Sequence, residues 1–375
     1  MYTQFNPNPS KPINRQIYLF LKEKILSGEI APDSKMPSTQ SLAKTFNTHV
    51  ATVQDAMHAL VKEGYLTRAP RRGTFVQPVK DKIRRVGLFY LGEPDHLKIN
   101  YGAFHGKVLA SLRQEFTRLK IEGIFITDHH AHADDPKGCP ELKRRIARGE
   151  IDAVIAPNLY GAAVDWVGKL PVPTAIHSPS GKRHTITFDN QQFADLALGA
   201  LKKQGCKTVG FVLPSEKTET HMPDSVGKLF DYFKESATQH GLQWKDSWIM
   251  GTKPGTILSS ELAQEQFGFQ AFTQLWKKKN LPDGLVVYPD TSCRGLMTAA
   301  LFHGVNIPGQ LKLALHRNKE SPFLCPVETY FIESSADETG RALVDHIFEQ
   351  TKGKCSGRQD FIPFHLRFHP AGKPL

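Results

Sequence analysis

The chain lacks the features of a membrane or secreted protein. None of its apolar runs approaches the roughly 18–20 residues that cross a bilayer. The N-terminus, MYTQFNPNPSKP, lacks the apolar centre of a signal peptide. Its five cysteines are scattered, odd in number and without paired metal spacing: Cys139, Cys206, Cys293, Cys325 and Cys355. These absences predict a cytoplasmic protein with reduced thiols and no membrane segment.

Signatures of enzyme chemistry are also missing. Ser178 and Ser180 have no G-x-S-x-G elbow around them, and the chain has no Walker-type phosphate loop. The segment ITDHHAHADD places His129, His130 and His132 beside aspartates, a set of ligands that suits zinc or nickel. It has no helical HxxxH spacing, and a solvated loop is favoured. The sequence therefore predicts no enzyme, no cofactor and no metal site.

Positive charge is concentrated at one end of the chain. The 375 residues, 40% hydrophobic and 23% charged, suffice for two or three domains. Residues 1–85 contain 14 Lys/Arg and 6 Asp/Glu, a net charge of +8, whereas the whole chain carries +11. A small basic unit attached to a large, nearly neutral one indicates that the small unit meets a polyanion.

A helical stripe opens the basic unit. Apolar residues recur at Ile13, Ile17, Leu21 and Ile25, which is close to the 3.6-residue period of an α-helix. Gly28 is placed to end this helix.

A second and a third helix follow across a short turn. Ser38 is placed as the N-cap of a helix that ends near Phe46, and Asn47-Thr48-His49 form the turn. The third helix is predicted from Val50 to Gly64, and its inner face carries Val53, Met57, Leu60 and Val61.

The stretch EGYLTRAPRRGTFVQP, residues 63–78, predicts a β-hairpin. Its turn holds Arg68, Arg71, Arg72 and Gly73 between two apolar runs. Glycine supplies the backbone freedom that such a turn needs. Arginines on a narrow turn can reach phosphates or the minor groove, where negative potential is concentrated.

These elements together predict a winged helix-turn-helix. The third helix can enter the major groove, because that groove accepts a helix and displays distinguishable base edges. We therefore predict a DNA-binding surface made of Ser38, Gln40, His49, Thr52, Gln54, Arg68, Arg71, Arg72 and Gly73. A winged helix used for contact with another protein is the alternative.

The segment MPSTQSLAKTFNTHVATVQDAMHALVKEGYLTRAPRRGTFV resembles the GntR-type winged-helix domain, and the resemblance covers about residues 11–77. It implies a double-stranded DNA operator as the partner. The family usually has DNA-contacting arginines at the positions of Gln40, Val50 and Gln54. Their absence here implies that the wing and the flanking lysines carry more of the affinity.

Beyond residue 85 the chain alternates strand-like and helical patterns. The strand-like segments are Val86–Tyr90, Gly123–Thr127, Ala153–Ala156, Pro173–His177, Thr208–Leu213, Gly284–Tyr288 and Lys312–Leu315. The helical segments are Gly102–Leu119, Glu141–Arg148, Phe193–Gln204, Val226–His240, Phe267–Lys278 and Ser292–His303. This alternation predicts an α/β fold with parallel sheets covered by helices. Its length predicts two lobes with a cleft between them.

Several pieces of this region resemble the periplasmic-binding-protein-like ligand domain of LacI/GalR regulators. They include RRVGLFYLG, GEIDAVIAPN and HTITFDNQQFADLALGALKKQGCKTVGFV, and the resemblance covers about residues 85–370. Asp189, Asp290, Gly295 and Ile307-Pro308 fall where markers of that family fall. The resemblance implies a small-molecule effector, suspected to be a sugar or sugar derivative, and a homodimer.

Ligands of such folds lie at the carboxyl ends of the strands, between the lobes. The residues at these positions are Tyr90, Glu93, Asn158, Ser178, Lys228, Asp290, His316 and Arg317. The resemblance places Lys228 where the family has an arginine that binds sugar hydroxyls, and Arg317 near a common aspartate. Two cations and few carboxylates predict an anionic or phosphorylated ligand rather than a neutral sugar.

The sequence thus predicts a DNA-binding domain in residues 1–78, a linker in 79–84 and a two-lobed ligand domain in 85–375. The predicted function is that of a ligand-responsive transcription regulator that acts as a repressor. One alternative is a fusion to a pyridoxal-phosphate aminotransferase-like domain. The other is a DNA-binding regulator that has lost ligand binding.

Overall fold

The computed structural model describes residues 5–26, 28–70, 72–77, 83–91, 102–128, 138–159, 161–179, 183–216, 224–253, 260–279, 281–352 and 357–372, with positions 256 and 258. Arg71, Glu93, most of the predicted linker and the histidines of the ITDHHAHADD segment lie outside these residues. None of the described helices is both long enough and apolar enough to traverse a bilayer.

The N-terminal region is a winged helix-turn-helix. Its elements are α1 (Ile13–Leu26), α2 (Thr39–Thr45), α3 (Val50–Lys62) and the antiparallel strands β1 (Leu66–Ala69) and β2 (Gly73–Val76). The Ser38 hydroxyl accepts a hydrogen bond from the Ser41 amide, 3.1 Å away, and so caps α2 as expected. The predicted order of the elements is confirmed.

One core joins the three helices to the hairpin. The inner face of α3 is buried at Val53, Met57 and Leu60, and it packs with residues of α1 and of both strands. The helix ends at Lys62, two residues before the predicted end. Gly64 has a φ of 71°, a left-handed conformation that stops the helix and turns the chain into β1.

The first lobe of the larger region contains a parallel sheet in the order β13-β7-β6-β5-β3-β4. Its strands are β3 (Arg85–Leu91), β4 (Glu122–Asp128), β5 (Ala153–Ala156), β6 (Thr174–His177), β7 (Thr185–Phe188) and β13 (Asp360–Ile362). Its helices are α4 (Gly102–Leu119), α5 (Pro140–Ala147), α6 (Ala162–Val167) and α11 (Ala336–Thr351). Helices cover both faces, so the central strand β5 is buried throughout.

The second lobe contains a sheet in the order β14-β12-β11-β10-β8-β9. Its strands are β8 (Val209–Glu216), β9 (Ile249–Thr252), β10 (Gly284–Val287), β11 (Lys312–Asn318), β12 (Thr329–Ser334) and the antiparallel edge strand β14 (His365–His369). Its helices are α7 (Asn190–Lys203), α8 (Asp224–Gln239), α9 (Glu261–Lys277) and α10 (Asp290–Phe302). The helix pairs α7/α8 and α9/α10 cover opposite faces.

The described chain passes between the lobes three times. It crosses after β7, returns after β12 and crosses again between β13 and β14. The Asp189 amide donates to the Ile362 carbonyl at 3.0 Å, and the Phe364 amide donates to Gln192 Oε1 at 2.7 Å. These bonds tie the first and the third crossings together, and we call this pair of crossings the hinge.

The predicted α/β fold with two lobes is confirmed, and the sheets contain strands that the pattern did not predict. These are β7, β9, β12, β13 and β14. Three of them, β9, β13 and β14, lie at the edges of their sheets. Edge strands need fewer apolar residues than central ones, and on β13 and β14 the side chains of Phe361, Leu366 and Phe368 are exposed. The sequences of these edge strands therefore lack the continuous apolar run that marks a buried strand.

Candidate functional site

The helix pair α2–α3 presents polar side chains to solvent. Gln40, His49 and Gln54 are exposed, and Thr52 is half-buried. The hydroxyl of Ser38 is occupied as the cap of α2, so it orders the helix. The residues of α2 and α3 in the predicted DNA-binding surface are therefore accessible to solvent.

The hairpin extends this surface. Arg68 on β1 and Arg72 in the turn are exposed. Gly73 has a φ of 118°, and a Cβ there would lie 2.7 Å from Cε of Lys35. The lysine side chain can move away, but L side chains rarely adopt this positive φ, so the backbone conformation favours glycine.

Lys35 is a basic residue of the wing that the pattern did not predict. It is exposed and forms an antiparallel bridge with Phe75 of β2. In sequence it is one lysine in a proline-flanked loop, which gives no signal of its position beside the hairpin.

A cavity of about 280 Å³ lies between the two lobes at the carboxyl ends of the strands. Its described lining consists of Phe104, His105, Asn158, His177, Pro179, Thr187, Phe188, Asn190, Tyr288, Pro289, Asp290, His316, Asn318 and Ser334. Both lobes and the first crossing contribute. The cavity is near the lower end of the roughly 300–1,000 Å³ usual for small-molecule sites.

A closed ring of hydrogen bonds orders the second-lobe wall. The Asp290 amide donates to His316 Nδ1 at 3.0 Å, which fixes the proton of this imidazole on Nε2. Nε2 then donates to the Ser334 hydroxyl at 3.0 Å, and that hydroxyl donates to Asn318 Oδ1. Asn318 Nδ2 closes the ring by donating to Asp290 Oδ2 at 2.9 Å. The carboxylate is therefore held in one orientation before any ligand binds.

Burial controls the charge of this wall. It lowers the pKa of His316 to about 3, so the imidazole is neutral. Burial also raises the pKa of Asp290, while Arg294, whose guanidinium lies 3.7 Å from Oδ2, lowers it. Among the described residues that line the cavity, none is a lysine or an arginine. The wall thus combines one oriented carboxylate with neutral donors and acceptors.

Three of the predicted ligand residues are brought together in the cavity: Asn158, Asp290 and His316. Ser178 is buried beside it, where its amide donates to the Ile186 carbonyl at 3.1 Å. Tyr90 is also buried, but its ring stacks on Phe125 at 6.2 Å within the first lobe. Neither Ser178 nor Tyr90 belongs to the described lining.

The two predicted cations lie elsewhere. Lys228 is exposed on α8 and does not belong to the described lining. Arg317 is 4% exposed, and it makes a buried ion pair with Glu333 while its guanidinium lies 3.9 Å from the ring centre of Phe331. Side chains alternate along β11, so His316 and Arg317 point to opposite faces. The reason to expect an anionic ligand is therefore removed.

Most residues of the cavity wall were not predicted. Thr187 and Phe188 belong to β7, and Ser334 ends β12, two strands that the pattern missed. Asn318 lies beyond the predicted end of β11. A prediction that included β7 and β12 would have identified Thr187, Phe188 and Ser334, because these residues lie at the carboxyl ends of the two strands.

No group of three or more metal-ligating side chains lies together among the residues that the structure describes. The predicted loop of His129, His130 and His132 falls outside them.

Two protein-family models match the chain. Residues 13–76 match the model for bacterial regulatory proteins of the gntR family. Residues 198–366 match the model for a periplasmic-binding-protein-like domain. The first covers the winged helix, and the second covers the second lobe with α11 and β13.

Curated relatives match part of the chain. The HTH-type transcriptional repressor NagR of Bacillus subtilis is 44% identical over 69 residues, 18% of this chain and 28% of the relative. The arabinose metabolism transcriptional repressor of Geobacillus stearothermophilus is 41% identical over 69 residues, 17% of this chain and 19% of the relative. The chain thus matches less than a third of the length of these curated relatives.

Among solved structures, the lac repressor dimer bound to operator and the anti-inducer ONPF is similar in fold. The TM-score is 0.57 at 14% identity, and the similarity covers 76% of this chain and 93% of the other. The chain therefore joins an N-terminal region that matches the gntR model to a two-lobed, periplasmic-binding-protein-like domain with the fold of the lac repressor structure.

Proposed function

We propose that the protein is a ligand-responsive DNA-binding transcription regulator, acting as a repressor, whose effector binds between the two lobes. The observation that carries this proposal is the hydrogen-bonded ring at Asp290, which lies in a cavity next to the hinge. A ligand that bridges the lobes binds their closed and open arrangements differently. That difference in affinity is what a ligand needs to shift a conformational equilibrium.

The chemistry of the cavity favours an uncharged polar effector such as a sugar or sugar derivative. Asp290, Asn158 and Asn318 offer the acceptors and donors that hydroxyl groups need, and Phe104 and Phe188 offer apolar faces. No described lining residue supplies a permanent positive charge for a phosphate. The name of the arabinose metabolism repressor adds support for a sugar.

The expected partners follow from the two domains. The exposed, basic winged helix fits a double-stranded operator. We propose a homodimer, as in the lac repressor structure, because two winged helices on one duplex can read two half-sites. Cytoplasmic localisation belongs to the same proposal, since the operator would be chromosomal DNA.

The two alternatives are less well supported. An aminotransferase-like domain has a different fold from the two-lobed one seen here, and the similar proteins are transcription regulators. A regulator without a ligand has no need for a preordered polar ring inside a cavity.

The function can be tested with purified protein, neutral monosaccharides and a thermal-shift assay. A ligand at 100 times its dissociation constant should stabilise the fold by about 2.7 kcal/mol. It should also change operator affinity by about 5- to 150-fold. Asp290→Ala should abolish both responses and keep DNA affinity. Asp231→Ala, on an exposed position of α8, is the matched control. A normal response of the Asp290 variant would place the ligand elsewhere.

The wing should contribute to DNA affinity and add little sequence specificity. Phosphate contacts position a protein and release counterions, so Arg71→Ala with Arg72→Ala should weaken binding to all duplexes. The slope of log K against log salt should fall by up to about 2. Gln54→Ala is the contrasting variant. It should lose about 1–3 kcal/mol of binding free energy at one base pair per half-site, and its salt slope should equal that of the wild type. Fluorescence anisotropy at several salt concentrations measures both, and an unchanged slope in the double variant would remove the wing from the DNA.

A further inference from the structure

His177 is a cavity residue whose tautomer is set by the backbone. Its Nδ1 lies 3.1 Å from the carbonyl oxygen of Pro157. A carbonyl oxygen only accepts hydrogen bonds, so Nδ1 must carry a proton. Burial, with the neighbouring His105 as a smaller cause, lowers the pKa of His177 to about 4. The imidazole is therefore neutral near pH 7, and its second nitrogen, Nε2, is left as a lone-pair acceptor.

Three aromatic side chains surround the ring of His177. The ring of His177 contacts Phe188 edge-to-face at 5.4 Å, and the rings of Phe104 and His105 follow at 6.2 and 6.3 Å. His177 lines the cavity on the first-lobe side, opposite the ring of Asp290. The phenyl rings of Phe104 and Phe188 have no N–H or O–H group to donate to this acceptor.

We infer that His177 is a specificity-determining residue of the effector site, which selects a ligand that donates a hydrogen bond to Nε2 from a hydroxyl or amino group. This inference rests on the proposed function, since it concerns the same cavity. His177 ends β6 in the first lobe, whereas Asp290 begins α10 in the second. A ligand bonded to both residues joins the lobes by donating one hydrogen bond to His177 Nε2 and one to the Asp290 carboxylate.

The tautomer can be tested without a ligand by ¹⁵N-detected NMR of the full-length protein. The signals of His177 are assigned by their loss in His177→Gln. The expected result is a protonated Nδ1 and an unprotonated Nε2 at pH 7. A proton found on Nε2 would overturn the inference, because that nitrogen would then donate and select the opposite kind of ligand group.

The selection is tested with neutral monosaccharides that bind in the thermal-shift assay and with their monofluoro analogues. Fluorine replaces a hydroxyl without donating a hydrogen bond. For the wild type, one fluoro analogue should bind about 10- to 100-fold more weakly than its parent, because a buried acceptor is left unpaired. His177→Phe should bind parent and analogue equally.

Three outcomes are distinguished by calorimetry. Loss of discrimination in His177→Phe alone, with discrimination kept in the control variant Asp231→Ala at an exposed position of α8, supports the inference. Equal discrimination by the wild type and His177→Phe would overturn it while the proposed effector stands. A panel in which no sugar binds either protein would remove both the sugar effector and this role of His177.

Discussion

Replacing Arg317 by Met should lower the free energy of unfolding by about 3–5 kcal/mol. The guanidinium is buried against Glu333, with Nε donating to Oε1 at 3.0 Å. Removing the cation leaves that carboxylate buried without a counter-charge. Methionine keeps the apolar contact with Phe331, so the loss measures the charge rather than the packing. Urea unfolding followed by circular dichroism gives the value.

Two further variants make this prediction decisive. Arg317→Met combined with Glu333→Gln should recover much of the loss, because no buried charge then remains. Lys319→Met, at an exposed position just after the same strand, should change stability by less than about 0.5 kcal/mol. If Arg317→Met is as stable as the wild type but fails to respond to effector, then Arg317 acts in the cleft after all.

Gly295→Ala is the second variant with a large expected effect. Helices α9 and α10 pack so closely that a Cβ at position 295 would lie 1.8 Å from the carbonyl oxygen of Glu265. The opposing atom is backbone, so neither helix can yield by rotating a side chain. We expect a loss of about 3 kcal/mol, at the upper end of the usual cost of overpacking.

Gly106→Ala provides the matched control for that loss. Gly106 lies in α4, and a Cβ there would meet nothing within 4 Å. Alanine should therefore stabilise this helix by up to about 1 kcal/mol through its better propensity. Thermal unfolding of the two variants would separate helix propensity from contact. A Gly295 variant that also gains stability would show that the helices are farther apart than described.

The winged helix could be predicted almost completely from sequence. Its elements are short and locally specified, since the apolar stripe of α3, the Ser38 cap and the Gly64 turn each reveal themselves within a few residues. The larger domain was predicted at its central strands for a related reason. Strands such as Ala153–Ala156 are buried on both faces and read as plain apolar runs.

The ligand cleft could be predicted only in part, because its wall is assembled from distant segments. Asn158, Asp290 and His316 follow strands that the pattern had identified, and all three line the cavity. His177 is the last residue of a predicted strand, and the role proposed for it depends on the carbonyl of Pro157, a contact that no spacing encodes. Arg317 was misplaced because burial with Glu333 is decided by a neighbouring strand, β12, absent from the prediction.

The three crossings between the lobes bear on how the chain is completed during synthesis. Helix α11 packs in the first lobe, where Gln350 exchanges hydrogen bonds with both backbone groups of Thr174. Strand β13 pairs with β7 at the edge of the same sheet. The ribosome synthesises strands β3–β7 of the first lobe well before α11 and β13, and nearly the whole second lobe is made in between. At about 5–20 residues per second, that delay is roughly 10–35 s, during which β7 is an open sheet edge. The nascent protein is then most exposed to mispairing and to chaperones, whereas the winged helix, contiguous in sequence, is complete early.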